Sequence, residues 1–160
     1  MPPEIRDAAR VLIFPPGVPL ITILLGQVLQ RFWPIARSLE LPALVRYGIG
    51  GLIVAGSIFG LGLRAVRTMR ATGQDENPWK PTPSIIESGP YRFTRNPMYL
   101  QIVIVCVGFA LILQNPWILL LTPFAAWALY ALAIRPEEEY LERKFGEQYL
   151  AYKRRVPRWL

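Results

Sequence analysis

Four apolar stretches of nearly membrane-spanning length dominate this chain, and they limit its fold more than any other feature. A helix needs about 20 mostly apolar residues to cross the roughly 30 Å hydrocarbon core of a bilayer. The four stretches run over Val11 to Leu29, Leu44 to Leu63, Pro97 to Leu113, and Pro116 to Ile134. Hydrophobic residues make up 52% of the 160 residues, more than a soluble core of this size uses. The sequence therefore predicts an all-α membrane protein, a single domain over residues 1–160 with about four transmembrane helices.

Prolines and glycines modify the first two stretches. Three prolines between positions 15 and 19 interrupt the first, so its regular helix is expected to begin only near Pro19 and to extend toward Trp33. A signal peptide is the alternative for this stretch, but no small-x-small cleavage site follows it. In the second stretch, Gly56 and Gly60 lie four residues apart on one helical face, which predicts close contact with another helix.

The basic residues predict the orientation of these helices. Lys and Arg accumulate on the cytoplasmic side of membrane proteins. With the amino terminus inside, all 18 Lys and Arg residues except Arg31, Arg37 and Arg46 fall on that side. The net charge of +7 then needs no nucleic-acid partner, because these residues meet anionic headgroups.

The chain lacks the side chains of several common mechanisms. It has no histidine, which excludes a Ser-His-Asp triad and a histidine-ligated metal, and no metal is expected. Its single cysteine, Cys106, lies in the third stretch and is interpreted as an apolar packing residue. No charged residue lies deep within a stretch, which argues against an ion transporter. Any chemistry must use Glu, Arg, Tyr, Asn and backbone groups.

Two polar segments remain, and both are predicted to be cytoplasmic. The first is the loop at 64–96, which is rich in proline near its centre and long enough to suggest a function. Asn96-Pro97 and Asn115-Pro116 then each indicate a helix start, with an Asn cap and Pro at the first helical position. The last two stretches should thus form a tight helical hairpin.

The second polar segment is the tail at 135–160. Pro136 is expected to open a helix whose first turn carries three glutamates, a favourable place for negative charge. After Gly146 a short amphipathic helix with tyrosines on one side is predicted to lie in the headgroup layer. Because the hairpin returns the chain to its starting side, the loop and the tail can meet there and form a site.

Taken together, these segments resemble the integral-membrane methyltransferases that include isoprenylcysteine carboxyl methyltransferase and the phospholipid methyltransferases. The matching elements are SGPYRFTRNPMYL at 88–100, Asn115-Pro116, Glu137 and Glu138, and FGEQYLAYKRRVPRWL at 145–160. They match in order and in spacing over roughly the carboxyl-terminal half of the chain. Each motif alone is weak, whereas the ordered set is specific.

The resemblance implies a cofactor, S-adenosyl-L-methionine, held between the loop and the tail. It also implies methyl transfer to a lipid-like or hydrophobic small acceptor that enters from the bilayer at the cytoplasmic face. Carried over by position, the cofactor contacts are Pro83, Ser84, Ile85, Ile86, Tyr91, Asn96, Pro97, Met98, Tyr99 and Glu137. The expected partners are this acceptor and membrane lipids.

Two departures from the family pattern bear on catalysis. The family's RHP is Arg95-Asn96-Pro97 here, and Asn keeps the ability to donate and accept hydrogen bonds. The arginine that faces the substrate carboxylate in prenylcysteine enzymes is replaced by Ala133, with Arg135 as the nearest substitute on a different side of the helix. This argues against a prenylcysteine carboxylate as the acceptor.

An amine acceptor would have to lose a proton, and Glu138 is the candidate base, with Tyr99 a weaker one. The alternative function is a noncatalytic membrane scaffold or partner-docking protein with the same hairpin. In that case the same residues would serve only folding.

Overall fold

A computed structural model describes residues 8–35, 41–75, 77 and 79–160, and within these ranges the chain is helical and contains no β-strand. Its helices are α1 (Gly17–Phe32), α2 (Ala43–Ala71), α3 (Pro97–Ile112), α4 (Pro116–Phe145) and α5 (Glu147–Arg155). A 3-10 turn, Gly89–Arg92, lies in the otherwise irregular segment between α2 and α3. The predicted all-α class is confirmed.

Two of these helices are long and apolar enough to cross a membrane, namely α2 and α4. The apolar helices α1 and α3 have 16 residues each, or about 24 Å at the helical rise per residue. Helix α1 begins at Gly17 and ends at Phe32, close to the predicted limits. Helix α2 continues past its predicted end at Leu63, because 63–71 is rich in strong helix formers. The first part of the predicted loop is therefore helical.

The prediction that Pro136 opens a separate helix is wrong, because α4 runs through it. Proline cannot donate to the carbonyl four residues earlier, and its ring crowds that carbonyl. A π-helical turn at Tyr130–Ile134 widens the helix just before Pro136. The carbonyl that Pro136 cannot reach, Leu132 O, instead accepts the N–H of Leu12 at 2.9 Å. The segment before α1 is thus attached to α4.

The hairpin turn between α3 and α4 contacts the other helices at one end of the bundle. The Asn115 side-chain oxygen accepts hydrogen bonds from the N–H groups of Trp117 and Ile118, so the predicted cap at this position is confirmed. Its Nδ2 donates to Gly26 O in α1 at 3.0 Å. Beside it, the carboxamide of Gln114 accepts from Arg46 Nη1 in α2 at 3.1 Å. The end of α1, the start of α2 and the hairpin turn therefore lie together, and the four helices alternate in direction.

Close contact between α2 and α3 depends on Gly50 and Gly108. A Cβ on Gly50 would lie 3.1 Å from Gly108 O, and a Cβ on Gly108 would lie 3.2 Å from Gly50 O. The predicted contact through Gly56 and Gly60 is wrong, since a Cβ on either would meet nothing within 4 Å. At about 100° per residue these two glycines lie on another face of α2 than Gly50.

Candidate functional site

The end of the loop donates two hydrogen bonds to backbone carbonyls at the end of the tail. The N–H of Arg95 donates to Pro157 O at 2.9 Å. The hydroxyl of Thr94 donates to Arg158 O at 2.8 Å. Thr94 is fully buried beneath this contact. The two polar segments, far apart in sequence, therefore meet at the end of the bundle opposite the hairpin turn.

Helix α5 packs its aromatic face against protein. Tyr149 and Tyr152 are only 2% and 3% exposed, and they cluster with Val156 against Ile85, Leu141 and Phe145. The Tyr152 hydroxyl donates to Tyr91 O in the loop at 2.8 Å. Burial raises the pKa of Tyr152, so its hydroxyl stays protonated as a donor at neutral pH. The loop and α4 therefore cover the tyrosine face of α5, and the position of this helix in the headgroup layer stays a prediction.

A cavity of about 640 Å³ lies between the loop, the start of α3, the end of α4 and α5. Of the residues predicted to contact a cofactor, all except Pro83 line this cavity. Pro83 is exposed between two lining residues, Thr82 and Ser84. The segment before α1 also reaches the cavity, with Phe14 and Pro16 in its wall. The loop and the tail thus both line one cavity, and its volume is typical of a small-molecule site.

Glu137 and Tyr99 form a hydrogen-bonded pair in the wall of this cavity. The Tyr99 hydroxyl donates to Glu137 Oε1 at 2.5 Å, which links α3 to α4. Tyr99 is buried, and Glu137 projects from α4 into the cavity wall. Within the described part of the chain, the second carboxylate oxygen of Glu137 has no hydrogen-bond donor. That oxygen can accept a hydrogen bond from a ligand.

The neighbouring carboxylate, Glu138, has a different environment. It is 5% exposed, and both of its oxygens accept from the Arg158 guanidinium, at 3.1 Å and 2.8 Å. Arg95 Nη1 lies 3.2 Å from Glu138 Oε1. The two hydrogen bonds from Arg158 hold this carboxylate in a fixed position, with the Arg95 guanidinium beside it. These contacts anchor the tail, and the role of Glu138 as a base stays a prediction.

Arg95 keeps donor capacity on a residue that lines the cavity. Its Nε is buried without a hydrogen-bond partner, and its Nη1 contact with Glu138 lacks hydrogen-bond geometry. Buried donors are nearly always paired in folded proteins. Arg95 therefore places a buried positive charge beside the cavity, and this charge favours an anionic group of a ligand.

Two further predictions need correction. Arg135 lies outside the cavity, because its place on α4 turns it to the surface, where its Nε donates to Glu139 Oε1 at 2.8 Å. Asn96 is buried in the cavity wall but does not cap α3 with its side chain. Its Nδ2 is directed at Arg158 O, 3.5 Å away. The Asn96 side chain thus contacts the docked tail and does not bond to the first N–H groups of α3.

Several lining residues were missed from the sequence. Gln74 is buried and donates to Ser84 O at 2.5 Å, which folds the loop back on itself. Trp79 Nε1 donates to Val11 O at 3.0 Å and joins the loop to the segment before α1. Tyr140 lies three residues after Glu137 on the same face of α4, a spacing that could have revealed it. No comparable signal in the sequence marks the segment before α1.

The fold and the cavity define a helical protein of membrane type with a ligand-sized site at one end of its bundle. The family model described as phospholipid methyltransferase matches residues 45–148. The chain therefore belongs to the phospholipid methyltransferase family, and the resemblance that the sequence suggested is confirmed.

Individual relatives are named protein-S-isoprenylcysteine O-methyltransferase. The chain is 35% identical to the one from Saccharomyces cerevisiae over 72 residues, which is 45% of this chain and 30% of the relative. It is 36% identical to form B from Arabidopsis thaliana over 73 residues, 46% of this chain and 37% of the relative. It is 31% identical to that of Rattus norvegicus over 132 residues, 79% of this chain and 43% of the relative. In each case less than half of the relative's length is matched. No solved structure matches the chain significantly.

Proposed function

We propose that this protein is an integral-membrane methyltransferase that uses S-adenosyl-L-methionine to methylate a lipid-like or hydrophobic small acceptor at the cytoplasmic membrane face. The observation that carries the proposal is a cavity that the loop, the start of α3 and the tail enclose together, with Glu137 and Tyr99 paired in its wall. Family membership supports methyl transfer as the reaction, and the cavity supports the loop and the tail as the place where the cofactor binds.

The residues of the cavity fit this cofactor. Its volume of about 640 Å³ lies within the usual range for small-molecule sites. Glu137 offers a free carboxylate oxygen to an ammonium or hydroxyl group, and the buried positive charge of Arg95 beside the cavity favours a carboxylate. Tyr91 and Tyr149 also line the cavity, and an aromatic face attracts a cation by about 0.5 to 2 kcal/mol. When bound, the cofactor supplies a methyl group on a cationic sulfur.

In this proposal the main role of the protein is to position the acceptor and the cofactor relative to each other. Methyl transfer needs the acceptor atom, the methyl group and the sulfur in line, and such alignment is worth roughly 7 to 11 kcal/mol in well-oriented pairs. The Tyr99 to Glu137 hydrogen bond holds the start of α3 against α4. The Glu138 to Arg158 pair holds the end of the tail against α4, and Arg95 of the loop lies beside the same carboxylate. These contacts set the shape of the cavity before a ligand enters it, which makes Glu138 a positioning residue.

The acceptor is expected to be apolar along most of its length. Phe14, in the segment before α1, Pro19, in the first turn of α1, and Ile102, in α3, form an apolar part of the cavity wall. Phe14 is 65% exposed, so this part of the wall continues onto the outer surface of the bundle. An acceptor in the bilayer could therefore reach the cavity from the side of the helices.

For the membrane we propose four spans with the amino terminus inside. Helices α2 and α4 have sufficient length, and α1 and α3 pack against them in alternating directions. Large apolar side chains on the outside, among them Leu52 and Phe124, suit contact with lipid. This arrangement puts the loop 64–96 and the tail 135–160 on the cytoplasmic side with most of the basic residues. Arg37, one of the three exceptions, lies outside the described residues.

The direct test is binding of labelled S-adenosyl-L-methionine to the purified full-length chain. We expect Glu137→Ala to weaken binding about 10-fold to 100-fold, since a hydrogen bond to a charged group contributes roughly 1.5 to 3 kcal/mol. Glu139→Ala is the matched control, because Glu139 lies on the exposed side of the same helix and pairs with Arg135. Absence of binding by the unaltered chain would remove the cofactor, and equal binding by Glu137→Ala would remove the assigned site.

Thermal unfolding separates an enzyme from a noncatalytic scaffold. A ligand that binds only the folded state raises its stability, by about 2.7 kcal/mol at one hundred times its dissociation constant. We expect the cofactor to raise the unfolding temperature of the chain, and a scaffold would show no change. Mass spectrometry of candidate lipids and small hydrophobic acids, after incubation with labelled cofactor, then identifies the acceptor and the atom that carries the methyl group.

A further inference from the structure

A second groove, of about 450 Å³, lies on the other side of the 3-10 turn from the cavity. Arg64 and Arg67 line it from α2, and Arg92 and Phe93 line it from the turn. Tyr91, the preceding residue, lines the cavity instead. Successive residues of one turn thus face two separate sites, and the groove is not part of the proposed methyl-transfer site.

The groove carries three positive charges and no negative one. Arg64, Arg67 and Arg92 are all exposed, and no acidic side chain lines the groove. Within the described part of the chain none of the three forms an ion pair, in contrast to Arg154 and Arg155, which pair with carboxylates. Guanidinium groups bind phosphate oxygens through paired N–H donors. The charge of the groove therefore complements a phosphate.

The shape of the groove is set by direct packing of the turn on α2. Gly89 has a positive φ of 58°, and a Cβ there would lie 2.6 Å from Thr68 Oγ1. Glycine therefore lets the turn approach α2 so closely. The groove also has apolar walls, from Leu61 and from Phe93, which is 67% exposed. It lies where the apolar part of α2 gives way to its arginines, with the exposed Phe59 one turn earlier.

We propose that this groove binds the phosphate headgroup of an anionic phospholipid, with the acyl chains against the apolar surface of α2 near Phe59. Positive charge beside apolar surface suits an amphiphile with a phosphate better than it suits a free anion. The arginines lie at the end of a membrane-length helix, where the negative potential of the cytoplasmic leaflet is felt. The inference rests on the membrane placement proposed above and not on methyl transfer.

The test is retention of phosphatidylglycerol by the full-length chain, measured by native mass spectrometry after release from nanodiscs of phosphatidylcholine and phosphatidylglycerol. The variant Arg64→Gln, Arg67→Gln, Arg92→Gln should retain this lipid at least about tenfold more weakly, given the contribution of each basic residue near a membrane. The variant Arg10→Gln, Arg143→Gln, Arg154→Gln removes the same charge at exposed positions outside the groove and should retain the lipid as the unaltered chain does.

Equal loss in both triple variants would overturn the proposal, since it would indicate general surface charge. So would displacement of the lipid by inorganic phosphate at millimolar concentration, which would identify a site for the free anion. Cofactor binding and thermal unfolding are measured on the same samples, so that failure of this inference is separate from failure of the proposed function. If the triple variant does not fold, Arg92→Gln alone, on the exposed turn, supplies the test with a smaller expected loss.

Discussion

Both helices of the α3 to α4 hairpin begin with Asn-Pro, but the two asparagines have different surroundings. At the closed end of the bundle, Asn115 caps α4 with its oxygen and bonds to α1 with its nitrogen. At the open end, Asn96 does not cap α3 and lies in the wall of the cavity. The same Asn-Pro signal therefore has two outcomes. Where another helix packs beside it, as at Asn115, the Asn side chain stabilises the fold. Where a cavity lies beside it, as at Asn96, the Asn side chain becomes part of the site wall.

The largest expected effect at the open end comes from Glu138→Ala. The substitution leaves Arg95 and Arg158 without their shared carboxylate, and loss of one partner from a buried ion pair costs about 3 to 5 kcal/mol. The free energy of unfolding in mixed micelles measures it. Glu147→Ala, which breaks an exposed pair with Arg154, is the control and should leave stability almost unchanged. A small loss in Glu138→Ala would mean that the tail is not anchored in this way.

The next effect is at the closed end, where Asn115→Ala removes a cap and a buried hydrogen bond to Gly26 O. We expect a loss of about 2 to 3 kcal/mol in the free energy of unfolding, from the cap and the unpaired carbonyl together. The affinity for the cofactor should stay the same once the protein is folded, because the substitution is at the other end of the bundle. A changed affinity would show that the two ends are coupled.

The smallest effect on stability is expected from Asn96→Ala. Among the described residues its side chain makes only a long hydrogen bond of 3.5 Å to Arg158 O, so the loss in unfolding free energy should be below about 1 kcal/mol. Because Asn96 lines the cavity, the dissociation constant of the cofactor should rise severalfold, as measured by equilibrium binding. If stability falls as far as in Asn115→Ala while affinity stays constant, the contrast between the two asparagines is wrong.

Local signals predicted much of the fold. Long apolar stretches predicted the helices, and Asn115-Pro116 predicted the cap and the hairpin. The even number of helices between loop and tail predicted that the two segments lie on one side, where the structure brings them together. Each of these features depends on neighbouring residues or on the order of the elements, which a sequence displays directly.

The remainder depends on contacts between distant residues. Glu137 and Glu138 are adjacent in sequence, yet one faces the cavity and the other is engaged by Arg158, twenty residues later. Nothing local distinguishes them. The continuous helix through Pro136 likewise depends on a π-turn and on the N–H of Leu12, far away in the chain. Asn96 does not cap α3 as predicted, because the tail docks beside it and its side chain contacts Arg158 O.

Photo-crosslinking of labelled S-adenosyl-L-methionine to the full-length chain, followed by peptide mapping, tests the central claim most directly. The account predicts adducts both in the loop, around Tyr91, and in the tail, around Tyr149 and Tyr152, with all of them suppressed by excess unlabelled cofactor. Adducts confined to other parts of the chain, or none that unlabelled cofactor suppresses, would contradict it.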